Sequence, residues 1–376
     1  MTADSQLRDQ SADATDWQRL EQTLRCDLAG RGLAGYRHLG QPLGAGHFRS
    51  AAYHLARHAT SVGIVTGFAV VTGGGVAGET DGPPGALYLA RALLSLGIHV
   101  TLISDDVSLP LLEAGCDHWR LGRDKLCRFP FDDHADHDGG VPVRPTGHED
   151  SLSGGDKAVS EAWVDEFFRS GPGARLSHLI AVERVGPSHT LDSLSAQPRS
   201  GAVPRRQFEA DAPRDTWDTC HNMRGEAIHR HTANTHRLFE VIEQRNLPVT
   251  TIGAGDGGNE IGMGSFAWEM LREAITTGPG GRIACRVATD YTLVAGVSNW
   301  AAYALAAAVA HLRRRRDAVG WGDAATQRQL IELLVREAGA VDGRTARRQP
   351  TVDGLPLDAY LKVLSDLHAY PFTGWT

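Results

Sequence analysis

The most constraining feature of the sequence is an alternation between short apolar runs, rich in branched residues, and longer helix-like segments. A strand-helix alternation of this kind predicts a parallel β-sheet covered by helices on both faces. Five apolar runs fit the pattern: 63–71, 98–104, 177–183, 248–254 and 282–288. We therefore expect an α/β protein with three αβα layers around a mostly parallel, Rossmann-like sheet.

The remainder of the chain is interpreted around this sheet. Residues 1–15 are polar and predict a disordered arm, whereas 16–376 can form a single α/β domain with a sizeable core. Two polar stretches, near 129–157 and 188–214, lack periodicity and predict loops or insertions within that domain.

Composition narrows the class of protein and its partners. The formal net charge of -7 argues against general affinity for nucleic acid or anionic membranes. We see no apolar run long enough to cross a bilayer and no apolar core of a signal peptide. The five cysteines are scattered without CxxC spacing, which disfavours a disulfide framework and a structural zinc site. We expect a cytoplasmic protein with a small-molecule partner and leave open its assembly into a homo-oligomer.

Acidic residues follow every predicted strand. In open parallel sheets, ligands bind outside the carboxyl ends of the strands, so these acids are expected to share one edge. Any one of them can be explained by a turn or a helix cap, but five strand ends together favour a site. The polar groups at these ends are Glu79 and Asp81, Asp105 and Asp106, Glu183 and Arg184, Asp256 and Glu260, and Asp290.

The segment 79–86, ETDGPPGA, predicts the start of a helix, because paired prolines fit a helix only in its first turn. Asp81 is interpreted as the N-cap of that helix, although the N–H groups freed there, beginning at Gly82, can instead receive a substrate carboxylate. Glu79 has no capping role and is therefore the stronger functional candidate.

A second glycine-rich turn, GAGDGGNEIGMG at 253–264, precedes another helix-like segment. Gly257 and Gly258 allow the backbone to approach a ligand closely, and Asp256, Asn259 and Glu260 add polar groups. The turn lacks the GK[ST] of a phosphate-binding loop, which disfavours nucleotide hydrolysis.

One motif favours a different function. GGGVAG at 73–78 matches the dinucleotide fingerprint GxGxxG and would make the protein a nicotinamide-dependent oxidoreductase, with Asp105 or Asp106 on the ribose. In that fingerprint the helix opens on the glycines, whereas here two acids intervene and would repel a pyrophosphate. We therefore expect no bound dinucleotide.

Several long motifs resemble the D-glutamate cyclase family, in family order from about residue 61 to 365. The matching segments are TGF (66–68), ETDGPPGA (79–86), ERVG (183–186), NMRG (222–225), GDGGNEIGMG (255–264), AGVSNW (295–300) and two VDG segments (341–343 and 352–354). The resemblance implies ATP-independent conversion of D-glutamate to 5-oxo-D-proline, a dehydration that closes a lactam. Ala301 and His221 depart from the usual pattern, so the expected substrate is D-glutamate or a related amino acid.

The resemblance and the acids together define candidate roles. The predicted catalytic residues are Glu79, Asp81, Glu183, Asp256 and Glu260. Alternatively, a hard ion, Mg²⁺ or Mn²⁺ rather than zinc, is held by Glu79, Asp81, Asp256 and Glu260. The predicted substrate-binding residues are Thr66, Gly82, Arg184, Asn222, Gly257, Gly258, Asn259, Asp290, Ser298 and Asn299. Besides the oxidoreductase, a non-catalytic amino-acid-binding protein remains an alternative.

Overall fold

The architecture was analysed in a computed structural model that describes residues 17–132, 156–199 and 201–369. The predicted arm at 1–15 and positions 133–155 of the first polar stretch lie outside the described residues. Within the described part, no helix combines the length and the apolarity needed to cross a bilayer.

The centre of the fold is a six-stranded parallel sheet, whose strands lie side by side in the order 291–294, 250–255, 178–182, 61–66, 99–104 and 126–128. The remaining strands pair antiparallel in three two-stranded hairpins. In chain order the strands are β1 (Arg37–His38), β2 (Gln41–Pro42), β3 (Ser61–Thr66), β4 (Ala69–Thr72), β5 (Gly75–Gly78), β6 (His99–Ser104), β7 (Leu126–Arg128), β8 (His178–Val182), β9 (Thr250–Gly255), β10 (Tyr291–Val294), β11 (Thr351–Val352) and β12 (Leu355–Pro356).

Helices lie on both faces of this sheet. In chain order they are α1 (described over 17–24), α2 (His47–His58), α3 (Pro83–Ser95), α4 (Leu109–Trp119), α5 (Asp156–Arg169), α6 (Leu191–Ala196), α7 (Arg205–Asp211), α8 (His236–Gln244), α9 (Trp268–Ala274), α10 (Gly280–Ile283), α11 (Ser298–Leu312), α12 (Ala324–Glu337) and α13 (Leu357–His368). Short 3₁₀ turns occur at Leu33–Gly35, Arg123–Lys125, Pro172–Arg175, Arg214–Thr216, His229–His231 and Arg316–Ala318.

The two faces of the sheet carry separate apolar cores. Ile64 and Leu102 belong to the core shared with α2, α3, α4, α11, α12 and α13, whereas Val65 and Ile103 belong to the core shared with α5, α8 and α9. Neighbouring residues of a strand point to opposite faces, so a strand buried on both sides is apolar throughout. The predicted three-layer α/β fold is therefore confirmed.

Two of the predicted strands are wrong in detail. The run 63–71 is divided at Gly67, whose φ of +108° ends β3 and lets β4 turn back to pair with β5. The run 282–288 is not in the central sheet, because residues 280–283 form α10. The edge strand beside β9 is β10. The apolar residues of this run, among them Ile283 and Cys285, belong instead to the core shared with α5, α8 and α9, and Ser188 pairs with Cys285. Burial outside the sheet thus produced the same apolar pattern as a strand.

The polar stretch near 188–214 carries the two short helices α6 and α7. A reciprocal cap starts α6, because Thr190 and Ser193 exchange side-chain and backbone hydrogen bonds. Phe208 of α7 is fully buried in the core.

Candidate active site

A cavity of about 360 Å³ opens at the carboxyl edge of the sheet. The charged residues of its wall are three acids and three arginines: Glu79, Glu183, Glu226, Arg31, Arg224 and Arg344. Apolar residues form another part of the wall, including Phe68, Val70 and Met223. A concave site with a few polar groups in a partly apolar wall is typical of small-molecule binding.

Buried carboxyl groups are gathered at the inner end of this cavity. Asp81, Glu183 and Asp256 each place an oxygen within 4.8 Å of the others. Glu183 directly follows β8, Asp256 directly follows β9, and Asp81 lies between β5 and α3. Glu79 is buried close by, and we call these four residues the acid cluster. The structure thus brings four of the five predicted catalytic acids together.

Asp81 caps a helix, but not the helix that the sequence suggests. Its carboxylate accepts hydrogen bonds from the backbone N–H groups of Ser298 and Asn299, at 3.0 and 2.9 Å, in the first turn of α11. In return, the Asn299 amide oxygen accepts from Gly82 and Gly85 at the start of α3. The two helix starts therefore cap each other. Ser298, Asn299 and Gly82 hold the acid cluster in place, and the N–H of Gly82 is already paired.

Gly82 is required where it stands for two reasons. Its φ is +92°, and a Cβ there would lie 2.8 Å from both the Thr66 hydroxyl oxygen and the Glu183 Cβ. Thr66 in turn donates its hydroxyl to the Val182 carbonyl at 2.7 Å and joins the ends of β3 and β8. Predicted as substrate-binding residues, Thr66 and Gly82 instead form the packed floor beneath the acid cluster.

Glu183 has an unusual backbone conformation, with a φ of +45°. A non-glycine residue in this region carries strain, and such residues concentrate at functional sites. Its N–H donates to the Ala254 carbonyl, while its carboxylate accepts from the Ser298 hydroxyl at 2.5 Å. These contacts turn the side chain into the cavity.

Glu260 has a structural explanation that the sequence did not suggest. Its carboxylate accepts the backbone N–H groups of Asp256, Gly257 and Gly258, at 3.2, 2.6 and 2.8 Å. Both oxygens of this predicted catalytic or metal-binding acid are therefore used by the backbone. It shapes the loop that presents Asp256, and the N–H groups of Gly257 and Gly258 are already used.

We expect Glu260→Gln to lower stability because an amide NH₂ would face backbone donors. An unsatisfied buried donor costs about 1–3 kcal/mol, so the melting temperature should fall by several degrees. Thermal unfolding of the purified variant checks this. An unchanged melting temperature would show that the loop does not depend on this carboxylate.

Two functional residues were missed by the sequence reasoning. Arg31 lies in the cavity wall and pairs with Asp256 at 3.3 Å and with Asp353, whose side chain is fully buried. Asp353 belongs to the second VDG segment, a signal that could have identified it. Arg31 follows no strand and belongs to no matched motif, so only the folded chain reveals it.

Burial and mutual repulsion alter the acidity of the cluster. Burial is the largest cause, and with Asp353 nearby it raises the pKa of Asp81 to about 7. Burial also raises the pKa of Glu79 and of Glu183 well above the usual range, with further contributions from neighbouring carboxylates. The pKa of Asp256 is raised by burial as well, although Arg31 opposes the shift. Groups of this kind can hold and release protons near neutral pH.

Arg184 does not face the cavity, contrary to its predicted role as a carboxylate clamp. Its guanidinium pairs with Asp105 at 2.6 Å and donates to Thr235, Gly67 and Ala233. These buried partners leave the side chain in a structural role. Asp106 pairs with Arg128 at the surface.

Asp290 lies at the opposite edge of the sheet, so the expectation that it shares the cleft is wrong. It directly precedes β10 instead of following a strand, and its carboxylate accepts from the N–H and hydroxyl of Thr251, near the start of β9. The misplaced fifth strand caused this error, since Asp290 follows the run 282–288 in sequence.

Asn222 and Asn259 both reach the cavity wall. The Asn222 oxygen accepts backbone N–H groups of its own turn, which includes Arg224. Asn259 donates to the His221 carbonyl at 2.7 Å, and its buried amide oxygen has no hydrogen-bond partner. Of the predicted substrate-binding residues, Asn259 thus offers a free acceptor to a bound molecule.

The acid cluster also has the chemistry of a cation site. Asp81, Glu183 and Asp256 offer only oxygen ligands, which suit hard divalent ions, and both Asp256 oxygens lack a hydrogen-bond partner. This group differs from the predicted ligand set in three residues. Glu183 takes part, Glu79 does not, and Glu260 is occupied by backbone N–H groups. The residues present therefore fit a divalent cation.

The glycines of GGGVAG form no dinucleotide-binding turn. Gly73 and Gly74 lie at the tip of the β4–β5 hairpin, and Gly75 begins β5. The fingerprint requires a helix that opens on the glycines, but α3 begins only at Pro83, after the acids. The oxidoreductase alternative thereby loses the feature that suggested it.

The fold and the site define a parallel α/β protein with a buried acidic pocket at the carboxyl edge of its sheet. The chain belongs to the family described as D-glutamate cyclase-like, C-terminal, whose model matches residues 20–198 and 212–368. This confirms the resemblance carried by the motifs. The human protein named D-glutamate cyclase, mitochondrial, is 29% identical over 295 residues, covering 76% of this chain. The match covers 39% of the human protein, so the chain spans about two fifths of that relative.

Proposed function

We propose that this protein is a lyase that closes an acidic amino acid, D-glutamate or a close relative, into a lactam such as 5-oxo-D-proline without ATP. The observation that carries the proposal is the acid cluster with raised pKa values in the wall of a small cavity that also contains arginines. Family membership supports a cyclase-type function, and the named activity of the human relative supports the choice of substrate.

The charges of the cavity complement those of glutamate. The ammonium group is attracted to Glu79 and Glu183, and a carboxylate that keeps its charge is attracted to the arginines. Asn259 can accept a hydrogen bond from the amine through its unpaired oxygen. With its side-chain carboxyl group also at the acid cluster, the bound glutamate is folded and its amine lies near that group.

The reaction moves two protons from the substrate nitrogen to the departing oxygen, and the acid cluster can carry both. The substrate ammonium first gives a proton to Glu79, and the freed amine attacks the γ-carboxyl carbon. A C–N bond forms, and its nitrogen gives a second proton to another carboxylate of the cluster. Glu79 and that carboxyl group return the two protons to one γ-carboxyl oxygen, the C–O bond breaks, and the oxygen leaves as water. Atoms and charges balance without a co-reactant, and the raised pKa of Glu79 suits both transfers.

Two effects of known size lower the barrier of this reaction. Holding two reacting groups together in the right geometry can supply roughly 7–11 kcal/mol of the barrier. General acid–base help adds about 10²–10⁴-fold, or roughly 3–5 kcal/mol.

A divalent ion is proposed as an additional component, held by Asp81, Glu183 and Asp256. Mg²⁺ or Mn²⁺ bound there would polarise the attacked carboxyl group. The chain's own residues would hold the ion and keep Glu79 free to move protons.

Removal of metal tests this component. If an ion is used, dialysis against a strong chelator should abolish most activity, and Mg²⁺ or Mn²⁺ should restore it more effectively than Zn²⁺. Circular dichroism of the chelated protein controls for unfolding. Full activity after verified metal removal would contradict a metal role.

The function itself is tested by following D-glutamate and L-glutamate with the purified protein in ¹H NMR, without nucleotide. Signals of 5-oxoproline should appear as those of glutamate disappear, faster for the D-enantiomer. Related amino acids with a terminal carboxyl group form the rest of the panel. If every member of the panel binds without turnover, the protein is an amino-acid-binding protein and the proposed reaction is wrong.

The cellular location is also a proposal. None of the five cysteines is in a disulfide, which fits a reducing compartment such as the cytoplasm. The name of the human relative places that protein in mitochondria.

A further inference from the structure

Two exposed arginines line the cavity, and their charge is opposite to that of the carboxyl groups at its inner end. Arg224 and Arg344 both belong to the wall, and neither forms an ion pair with a carboxylate anywhere in the described ranges. Arg31, the third arginine of the wall, is by contrast already paired with Asp256 and Asp353. We call Arg224 and Arg344 the arginine pair.

The backbone holds the arginine pair in position from two separate loops. The Asn222 amide oxygen accepts the N–H of Arg224 at 2.9 Å, and the Asp342 carboxylate accepts the N–H of Arg344 at 3.1 Å. Arg224 donates to the Arg344 carbonyl, and Arg344 donates to the Ala29 carbonyl at 2.8 Å. The two loops therefore meet beside the cavity, and each presents its guanidinium there.

The charges permit one orientation for an amino dicarboxylic acid. Its ammonium group belongs with the acid cluster, whereas a carboxylate that does not react would be repelled from the cluster. That carboxylate is the α-carboxylate, which stays charged in substrate and product alike. Guanidinium groups are always charged and bind carboxylates in a defined geometry.

We propose that Arg224 and Arg344 bind the α-carboxylate of the substrate and thereby restrict the site to α-amino dicarboxylic acids. The inference rests on the proposed function and adds the residues that determine specificity. The loop that carries Arg344 lies close to the acid cluster. Gly343, next to Arg344, is so near Glu79 that an added Cβ would overlap the Glu79 carboxylate. A short substrate can therefore contact both ends of the site.

The matched ligand for a test is 4-aminobutanoate, which equals glutamate without its α-carboxylate. Dissociation constants of both ligands are measured by calorimetry for the wild type, Arg224→Gln and Arg344→Gln. Each variant should weaken D-glutamate binding by roughly 10- to 100-fold, as expected for one lost charge-assisted hydrogen bond. Binding of 4-aminobutanoate should stay within about twofold, since it lacks the group that the arginine pair contacts.

Arg347→Gln is the matched control, because Arg347 is exposed in the same loop but lies outside the cavity wall. It should bind D-glutamate like the wild type. Arg344 also supports Ala29, so Arg224→Gln decides the result if Arg344→Gln does not fold.

The outcomes separate this inference from the proposed reaction. Selective loss of D-glutamate binding supports the arginine pair, even if no lactam forms and the proposed reaction fails. Equal weakening of both ligands, or no weakening, overturns the inference even if turnover is observed. Absence of D-glutamate binding to the wild type overturns the inference together with the proposed substrate.

Discussion

Glu79→Gln is expected to reduce turnover of D-glutamate by at least about 10²-fold, the low end for loss of general acid–base catalysis. The substitution keeps the shape of the side chain and removes only its ability to exchange a proton. Glu79 lies in the cavity wall, outside the group of three carboxylates that fits a cation, and one of its buried oxygens has no hydrogen-bond partner. It is therefore the acid best placed to exchange protons with a substrate.

The same variant should be at least as stable as the wild type, and more so at high pH. The folded-state pKa of Glu79 lies well above its ordinary value of 4.5, mainly because of burial. The wild type therefore loses stability as the pH rises from about 4.5 towards that raised pKa, whereas the glutamine variant does not. The melting temperature of the variant relative to the wild type should increase from pH 5 to pH 8.

Asp106→Asn is the control for Glu79→Gln, because Asp106 pairs with Arg128 at the surface and should be replaceable with little loss of activity. Both variants are assayed at saturating D-glutamate beside thermal unfolding at the two pH values. Wild-type turnover by Glu79→Gln would show that another group moves the proton. A large loss of stability with full activity per folded molecule would make Glu79 purely structural.

Arg31→Met is expected to destabilise the fold by about 3–5 kcal/mol at pH 8, the range for leaving one partner of a buried ion pair without its counter-charge. Arg31 pairs with Asp256 and Asp353, and the side chains of both acids are fully buried. Methionine retains much of the aliphatic volume, so the change removes mainly the charge. Activity should fall as well, since the acid cluster loses its neighbouring cation.

The effect of Arg31→Met should shrink as the pH falls. Burial raises the pKa of Asp256 well above its ordinary value of 3.8, and Arg31 opposes that rise. Without Arg31 the folded-state pKa rises further, so the added penalty appears as the pH increases and is relieved by protonation at pH 5. Urea unfolding at pH 5 and pH 8 measures the difference.

Arg205→Met is the control for Arg31→Met. Arg205 pairs with Glu209 on the exposed face of α7, and its loss should cost less than about 1 kcal/mol at either pH. A decrease in the free energy of unfolding of Arg31→Met that is small, or equal at the two pH values, would contradict the assigned role of this residue.

The layers of the fold could be predicted because buried parallel strands have a characteristic apolar composition. The runs that became β6, β8 and β9 are apolar on both faces, and acids follow two of them into the site. The same reasoning failed at 282–288, where apolar residues are buried outside the sheet, and Asp290 was misplaced with that run. An apolar composition indicates that a segment is buried, but it does not indicate which elements bury it.

The site was predicted as far as local sequence determines it. Glu79, Asp81, Glu183 and Asp256 follow from strand ends and motifs, and the structure brings them together. Glu260 was assigned to catalysis or a metal, and Arg184 to the substrate. Their actual partners, three backbone N–H groups and the buried Asp105, become visible only in three dimensions. Arg31 was missed for the same reason, since its partners lie more than two hundred residues away.

A crystal structure of Glu79→Gln soaked with D-glutamate tests the central claim most directly, because the slowed variant should retain unreacted substrate. We expect the amine within hydrogen-bond distance of residue 79 or Glu183, the side-chain carboxyl group at the acid cluster, and the α-carboxylate on Arg224 and Arg344. Ligand density outside the cavity, or an amine directed away from the acid cluster, would contradict the account.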